Sequence, residues 1–128
     1  MGKETAIVLI VDDEEPVRNF VDRVLRDAGY ETAVASGGAE AIAIARTIGS
    51  FDVLVTDMMM PQMAGDELAR RLRLHEPDVK VLYLTGYSDR LFKEKSSLWA
   101  DEAFLDKPCT VKALQEAVSQ LLSGGFNT

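Results

Sequence analysis

The segment Ala6-Ile-Val-Leu-Ile-Val-Asp-Asp13 decides how the rest of the chain is interpreted. Its first six residues are apolar and mostly β-branched, which is typical of a strand buried on both faces of a sheet. Two aspartates follow at once, and a helical pattern begins near Pro16. A fully buried strand that leads into a helix is the repeating unit of parallel α/β sheets. We therefore expect further copies of this unit along the chain.

The alternation of strand and helix continues through the sequence. The first helix has apolar residues at three- and four-residue spacing, acids in its first turn and Gly29 at its end. The other four strands are predicted at Tyr30–Ala35, at Phe51–Thr56 ending at Asp57, at Val79–Leu84 closing at Thr85, and at Glu102–Asp106. The other four helices are predicted at about Ala39–Ile48, around Leu68, Leu72 and Leu74, weakly over Ser88–Trp99, and from Val111 to Leu122. Five strands alternating with five helices predict a doubly wound parallel sheet covered on both sides.

Length and composition predict one soluble domain. A chain of 128 residues fits a single domain, 1–128, with a core at about 6–122. The start lacks the apolar stretch of a signal peptide, and the longest apolar run, Ala6–Val11, is too short to span a bilayer. The single cysteine, Cys109, cannot form an internal disulfide, which favours a reducing cytoplasm. A cytoplasmic location without membrane attachment is the expectation.

The charge balance argues against nucleic-acid binding. Fourteen basic residues stand against 21 acidic ones, which gives a formal net charge of -7. Binding to nucleic acid needs a basic face that neutralises phosphates. The acidic excess suits a protein that collects a divalent cation, although most of these acids serve solubility alone.

Polar residues stand where the predicted strands end. Asp12 and Asp13 follow the first strand, Asp57 closes the third, Thr85 closes the fourth and Lys107 follows the fifth. In a doubly wound sheet, functional groups gather beyond the carboxyl ends of the strands, near the switch in strand order. We therefore expect these five side chains to converge at one edge of the sheet.

The chemistry of this set favours a magnesium site. Three carboxylates repel one another unless a cation joins them, and a few hard oxygen ligands are what Mg²⁺ prefers. Taken alone, the pair Asp12 and Asp13 is more often a solvated turn or a helix cap than a metal site. Lys107 could be an ordinary surface lysine, and Thr85 could owe its place to β-propensity. Their joint position at strand ends is what favours a site.

Four motifs together resemble the response-regulator receiver domains of two-component systems. They are Val11-Asp-Asp-Glu14, Thr56-Asp-Met-Met-Met-Pro61 with Met63 and Gly65, Leu84-Thr-Gly86, and Phe104-Leu-Asp-Lys-Pro108. The resemblance covers the chain from about Ala6 to Leu122, in the family's order and spacing. It extends to receivers of hybrid sensor kinases and to stand-alone receivers. It implies a flavodoxin-like fold with strand order 2-1-3-4-5.

The resemblance also implies a role for each motif residue. Asp57 matches the residue that accepts the phosphoryl group. Asp12 and Asp13 match the acids that hold Mg²⁺, helped by Asp57 and the backbone carbonyl of Met59. Lys107 matches the lysine that pairs with phosphoryl oxygens, and its peptide bond with the following proline is cis in many relatives.

Two further residues match the family's switch. Thr85 matches the hydroxyl that moves toward the phosphoryl group, and Phe104 matches the aromatic residue that then turns inward. The implied partner is a histidine kinase or a phosphotransfer protein that carries a phosphohistidine. The implied output is a changed protein-binding face, with a homodimer as one outcome. The chain would be a signalling switch that catalyses only its own phosphorylation and dephosphorylation.

Several residues carry weaker expectations. Met59 and Tyr87, each two residues after a motif residue, are predicted to hinder the water that hydrolyses the acyl phosphate, unless both point outward. Trp99 is predicted to cap the core or, alternatively, to lie on a partner surface. His75 is expected to be a solvated residue at a helix end, and Cys109 to be chemically inert.

Two other functions remain open at this level. One is a pseudo-receiver, an interaction module that does not accept phosphate, although the complete set of motif residues argues against it. The other is a phosphohydrolase with an aspartyl nucleophile, similar to haloacid-dehalogenase-like enzymes. Those enzymes carry a second aspartate two residues after the first, and Met59 occupies that position here.

Overall fold

The computed structural model describes residues 5–86 and 102–123, which form one parallel sheet flanked by helices. Their elements are β1 (Ile7–Val11), α1 (Glu15–Asp27), β2 (Glu31–Ala35), α2 (Gly38–Ile48), β3 (Val53–Asp57), α3 (Gly65–Leu72), β4 (Lys80–Thr85), β5 (Glu102–Asp106) and α4 (Val111–Ser123). The weak helix predicted over 88–99 lies outside the described residues. Within the described ranges, no helix has the length and apolar character needed to cross a membrane.

The strands run in the order β2-β1-β3-β4-β5, and every neighbouring pair is parallel. This is the predicted flavodoxin-like order, so the fold prediction is confirmed. The order places β3 in the centre of the sheet, and the chain reverses its direction of travel across the sheet between β2 and β3. The carboxyl ends of β1, β3 and β4 therefore stand side by side at one edge.

Alternating residues of the central strands fill two cores, one on each face of the sheet. On one face, side chains such as Val8, Ile10 and Val55 pack with α1 and α4. On the other face, side chains such as Leu9 and Leu54 pack with α2 and α3. Burial on both faces explains why β1 and β3 are continuous apolar runs without polar alternation.

Helix α1 has the ends that its sequence predicts. Pro16 stands in the first turn, where its missing N–H is not needed, and Glu15 lies beside the positive end of the helix dipole. Arg26 lies in the last turn, beside the negative end. Gly29 follows with a φ of 101°, a conformation that glycine adopts without steric cost.

One prediction about α3 is wrong. Leu74 was expected on the helix with Leu68 and Leu72, but α3 ends at Leu72 and the side chain of Leu74 is 72% exposed. The backbone N–H groups of His75 and Glu76 both donate to the carbonyl of Leu72, which tightens the end of the helix into a turn. The proline at position 77 disfavours a helical conformation at the residue before it, so the helix cannot continue.

Candidate functional site

Hydrogen bonds between strands continue one residue past the strand ends and fix the backbone of the site. The Met58 N–H donates to the Leu84 carbonyl over 3.0 Å, beyond the end of β3. The Lys107 N–H donates to the Thr85 carbonyl over 2.8 Å, beyond the end of β5. The side chains at these positions are therefore held at the edge of the sheet by its regular pairing.

Three carboxylates meet at this edge. Asp12, Asp13 and Asp57 each offer an oxygen, and these oxygens lie within 4.8 Å of one another. Asp12 is 0% exposed and Asp57 is 4% exposed, whereas Asp13 is open to solvent. The structure thus brings together the three acids that the sequence predicted to converge, two of them buried and one accessible.

Lys107 supplies the positive charge of the cluster. Its Nζ lies 3.2 Å from Oδ1 of Asp57, to which it donates a hydrogen bond, and 3.6 Å from Oδ2 of Asp12. It also lies 3.7 Å from Oε1 of Glu14, an exposed acid that was not predicted as part of the site. The peptide bond between Lys107 and Pro108 is cis. One ammonium group therefore faces three carboxylates.

Burial and mutual repulsion shift the protonation of the cluster. Burial and the nearby charge of Asp12 raise the pKa of Asp57 to about 7, although Lys107 acts in the opposite direction. Burial likewise raises the pKa of Asp12. For Lys107, burial disfavours the charged form, but the carboxylates of Asp12 and Asp57 outweigh it and the pKa is raised. Among the described residues, the ammonium group of Lys107 faces more than one carboxylate, so the site is short of positive charge.

The arrangement fits a hard divalent cation. Oδ1 of Asp12 accepts the Glu14 N–H over 2.9 Å, while Oδ2 is buried and has no hydrogen-bond partner among the described residues. Nζ of Lys107 lies 3.6 Å from Oδ2, too far for a hydrogen bond, and a buried carboxylate oxygen without a hydrogen bond is costly unless a cation binds it. Carboxylate oxygens in small number are the protein ligands of Mg²⁺. Asp12, Asp13 and Asp57 are the side chains able to hold such an ion.

The loop after β3 is fixed by close contact with Gly65. The Gly65 N–H donates to the Met58 carbonyl over 2.8 Å, and a Cβ at Gly65 would collide with the carbonyl oxygen of Asp57. The loop also packs on α2, because a Cβ at Gly38 would lie 2.5 Å from the sulfur of Met63. The side chain of Met59 remains 60% exposed. Small residues thus allow the loop to approach the sheet and α2.

The hydroxyl of Thr85 donates a hydrogen bond to a neighbouring strand. Its Oγ1 donates to Oδ1 of Asp106 over 3.0 Å, and Thr85 is buried at the end of β4. Asp106 was not predicted as a site residue. The sequence contains a signal for this residue. Side chains two positions apart in a strand lie on the same face, so Asp106 lies on the same face of β5 as Phe104, the predicted switch residue.

Phe104 packs on an aromatic neighbour in the next strand. Its ring lies 5.4 Å from that of Tyr83, tilted by 36°, and the two residues are paired in the sheet. The hydroxyl of Tyr83 donates to Glu102 over 3.3 Å, and Nη1 of Arg73 donates to the same carboxylate oxygen over 2.5 Å. Burial raises the pKa of the Tyr83 hydroxyl, and the nearby Glu102 carboxylate adds to the effect. A buried polar network therefore lies beneath the predicted switch aromatic.

The remaining predicted residues lie apart from this cluster or outside the described residues. His75 is exposed just after α3, as expected. Cys109 is half-buried, and burial raises the pKa of its thiol, which disfavours the reactive thiolate. Tyr87 and Trp99 lie outside the described residues, so the expectations about them stay predictions.

One further residue near the site has a positional role that the sequence did not suggest. Nη1 of Arg18, on α1, donates to the backbone carbonyl of Asp12 over 2.9 Å. This bond ties the first turn of α1 to the segment that carries the acidic pair. The i, i+6 spacing follows no regular helical or strand pattern, so only the fold reveals it.

Comparison with known proteins gives a consistent result. The family model described as the response regulator receiver domain matches residues 8–119. The sensor kinase CckA of Brucella abortus is 37% identical over 119 residues, which are 92% of this chain and 13% of that protein. The receiver protein CpdR of the same organism is 31% identical over 115 residues, covering 90% of this chain and 95% of CpdR.

A solved structure supports the same relation. The chemotaxis protein CheY4 of Vibrio cholerae superposes with a TM-score of 0.83 at 32% sequence identity, and the match covers 93% of this chain and 100% of CheY4. This chain therefore spans nearly the whole of two small relatives but a small part of the sensor kinase.

Proposed function

This chain belongs to the response regulator receiver family of two-component systems, and from that membership we propose that Asp57 accepts a phosphoryl group from a histidine kinase or a phosphotransfer protein. Receiver domains act as signalling switches. The proposal assigns this chain a chemical step on its own side chain and a change in the surface that it offers to other proteins.

One observation carries the proposal. Asp57 lies between an acidic pair that can hold a cation and a lysine that can hold phosphoryl oxygens, with Nζ of Lys107 at 3.2 Å. Asp57 is central in the sheet and nearly buried, yet it belongs to a cluster that opens to solvent at Asp13. A buried carboxylate flanked by charge-compensating groups is suited to form an acyl phosphate with an incoming phosphoryl group.

In the proposed step, a carboxylate oxygen of Asp57 attacks the phosphorus of a partner's phosphohistidine in line with the bond that breaks. The nitrogen–phosphorus bond breaks with its electron pair going to the imidazole, and a new oxygen–phosphorus bond makes an acyl phosphate. Lys107 remains close to the transferred group and neutralises its oxygens. Positioning and electrostatics supply most of the rate in phosphoryl transfer.

Asp12, Asp13 and Asp57 are the side chains proposed to hold Mg²⁺, with the backbone carbonyl of Met59 as a further ligand. When bound, Mg²⁺ would neutralise charge on the phosphoryl oxygens. A nearby cation also favours the ionised form of Asp57, whose pKa is otherwise raised to about 7 by burial and by Asp12. The ionised carboxylate is the form that can attack phosphorus.

The proposed response to phosphorylation lies in β4 and β5. A phosphoryl group adds a charge of nearly -2 at Asp57, and we propose that it draws in the hydroxyl of Thr85 while Phe104 turns inward. The binding face formed by these strands would change, and a homodimer on that face is one proposed outcome. Residues 1–128 are proposed to act as one receiver domain in the cytoplasm, without binding nucleic acid.

The test is the intact mass of the protein after treatment with acetyl phosphate and Mg²⁺. We expect an increase of one phosphoryl group in the native chain and none in Asp57→Ala or in the presence of excess chelator. Lys112→Ala, an exposed lysine on α4, is the matched control and should be phosphorylated normally.

Two results would replace this proposal. A folded native chain that forms neither a phosphoryl nor a beryllofluoride adduct with Mg²⁺ would indicate a pseudo-receiver. Steady turnover of an external phosphate ester would indicate a phosphohydrolase, against which Met59 at the position of the second aspartate argues.

A further inference from the structure

The hydroxyl of Thr85 can donate one hydrogen bond, and in this structure it donates that bond to Asp106. Oγ1 of Thr85 lies 3.0 Å from Oδ1 of Asp106, and the bond joins the last residue of β4 to the last residue of β5. Thr85 is 1% exposed, so its hydroxyl has little access to water as an alternative partner. Any other acceptor must therefore compete with this carboxylate.

The pairing of the two strands fixes this contact. Thr85 and Asp106 are register partners in the parallel ladder, so their side chains leave the sheet on the same face. The Lys107 N–H donates to the Thr85 carbonyl over 2.8 Å, which holds the backbone of β5 against β4 just past this pair. The carboxylate of Asp106 is thus positioned by the sheet as an acceptor for this hydroxyl.

We propose that Asp106 is a positioning residue that holds the Thr85 hydroxyl in a resting orientation and so opposes the phosphorylated form of the domain. This inference rests on the proposed function, because it requires the hydroxyl to be recruited by a phosphoryl group on Asp57. A hydrogen bond to a charged acceptor is stronger than one to a neutral acceptor, so the resting bond is hard to exchange. Recruitment of the hydroxyl must break its bond to Asp106.

The consequence is a balance between two acceptors. The phosphoryl group adds nearly two negative charges at Asp57, and Asp106 contributes one at the end of β5. The side chain of Asp106 is exposed, so the carboxylate remains accessible to water when the hydroxyl turns away. The hydrogen bond between Thr85 and Asp106 therefore favours the resting state but can be exchanged when a phosphoryl group is present.

The test compares beryllofluoride binding in the presence of Mg²⁺ among the native chain, Asp106→Ala and Asp106→Asn. Asp106→Ala removes the competing acceptor, so its apparent affinity for beryllofluoride should rise roughly tenfold, the size expected for one charge-assisted hydrogen bond. Asp106→Asn keeps a neutral acceptor and should show a smaller rise. Asp78→Ala, an exposed acid beyond α3, is the charge-matched control and should bind like the native chain.

A second comparison separates the hydrogen bond from a general effect of charge. In a Thr85→Ala background, Asp106→Ala should no longer change the affinity, since there is no hydroxyl to release. NMR spectra of the unmodified Asp106→Ala protein should show the Thr85 methyl and amide signals displaced toward their positions in the native adduct. These spectra also report whether each variant is folded.

The outcomes assign failure to one claim or the other. A native chain that forms no adduct at all overturns the proposed function and this inference with it. A native chain that forms the adduct, with Asp106→Ala folded but unchanged in affinity, overturns this inference alone. An equal gain in affinity with and without the Thr85 hydroxyl also overturns it, because the effect would then be one of charge.

Discussion

Nζ of Lys107 lies 3.2 Å from Oδ1 of Asp57, although the two residues are 50 positions apart in the chain. The contact exists because β3 and β5 flank β4 in the sheet, so that both residues reach the same edge. Among the described residues, Lys107 is the cation whose charged group lies within 4 Å of the carboxylates of the acidic cluster. The charge balance of the site therefore depends on this side chain.

Replacement of Lys107 by alanine should slow phosphorylation by acetyl phosphate on the order of 10²-fold, the usual cost of losing one preorganised charge or donor at a developing anion. The rate can be followed by intact mass against time at saturating Mg²⁺. Lys112→Ala should retain the native rate. A Lys107→Ala variant that is phosphorylated as fast as the native chain would show that the lysine is not part of the chemistry.

Without a divalent cation, Asp57 should make the stability depend on pH. Burial and Asp12 raise the pKa of Asp57 to about 7 in the folded chain, against about 3.9 in an unfolded one. This favours the protonated carboxyl in the folded state. The contribution to stability is fully present below pH 4 and is lost as the pH rises through about 7.

Urea unfolding in excess chelator can measure this loss. Relative to Asp57→Asn, the free energy of unfolding of the native chain should fall by about 3 kcal/mol between pH 5 and pH 8. Saturating Mg²⁺ should reduce the difference at pH 8. Parallel pH curves for the two proteins would show that Asp57 titrates as an ordinary exposed aspartate.

Gly65→Ala should destabilise the loop that follows β3. The added Cβ would collide with the carbonyl oxygen of Asp57, a backbone atom that can move only if the loop moves. We expect a loss of about 1–3 kcal/mol in the free energy of unfolding and weaker beryllofluoride binding. Gly37→Ala is the control, since a Cβ there has nothing within 4 Å, and it should cost less than about 1 kcal/mol.

Glu102→Ala should be among the most destabilising single changes outside the apolar core. It removes the carboxylate that pairs with the guanidinium of Arg73, whose side chain is 17% exposed. Removing one member of a buried ion pair typically costs about 3–5 kcal/mol. Arg23→Ala breaks the exposed pair with Asp27 and should cost at most about 1 kcal/mol. Similar losses for the two variants in urea unfolding would contradict the buried role of Glu102.

Met59 is predicted to slow the loss of the phosphoryl group by hindering the attacking water. Its side chain is 60% exposed on the loop that follows Asp57. Met59→Asn, alone and combined with Tyr87→Glu, should shorten the lifetime of the acyl phosphate several-fold, as measured by the decay of the phosphorylated mass. Leu74→Asn, an exposed apolar residue beyond α3, should leave the lifetime unchanged. An unaltered lifetime in the double variant would contradict the prediction that these side chains hinder the attacking water.

The edge of the sheet was predictable because it follows from two regular patterns. Apolar runs mark β1 and β3, and Asp12 and Asp57 stand directly at their ends. Once the strands are parallel, these ends must meet, whatever the details of packing. Lys107 follows β5 in the same way, so its approach to the acids also followed from the pattern.

Contacts between residues that are distant in the sequence were not predictable, because they depend on which single residues of two strands are paired. Arg73 and Glu102 are 29 positions apart, and nothing in the local sequence of either residue indicates the other. The bond between Thr85 and Asp106 requires the register of β4 against β5, and a shift of one residue would point Asp106 to the opposite face. The spacing of Leu74 fits α3, but spacing alone does not show where a helix ends.

The order of the strands makes the domain lopsided. The acids stand at the end of β3 and just after β1, while Thr85 and Lys107 stand on β4 and after β5, on the side of β3 away from β2. Among the described residues, the flank built by β2 and α2 contributes no side chain to the acidic cluster or its lysine. Phosphorylation of Asp57 would thus reshape one flank and spare the other, which leaves the spared flank available for contacts that hold in both states.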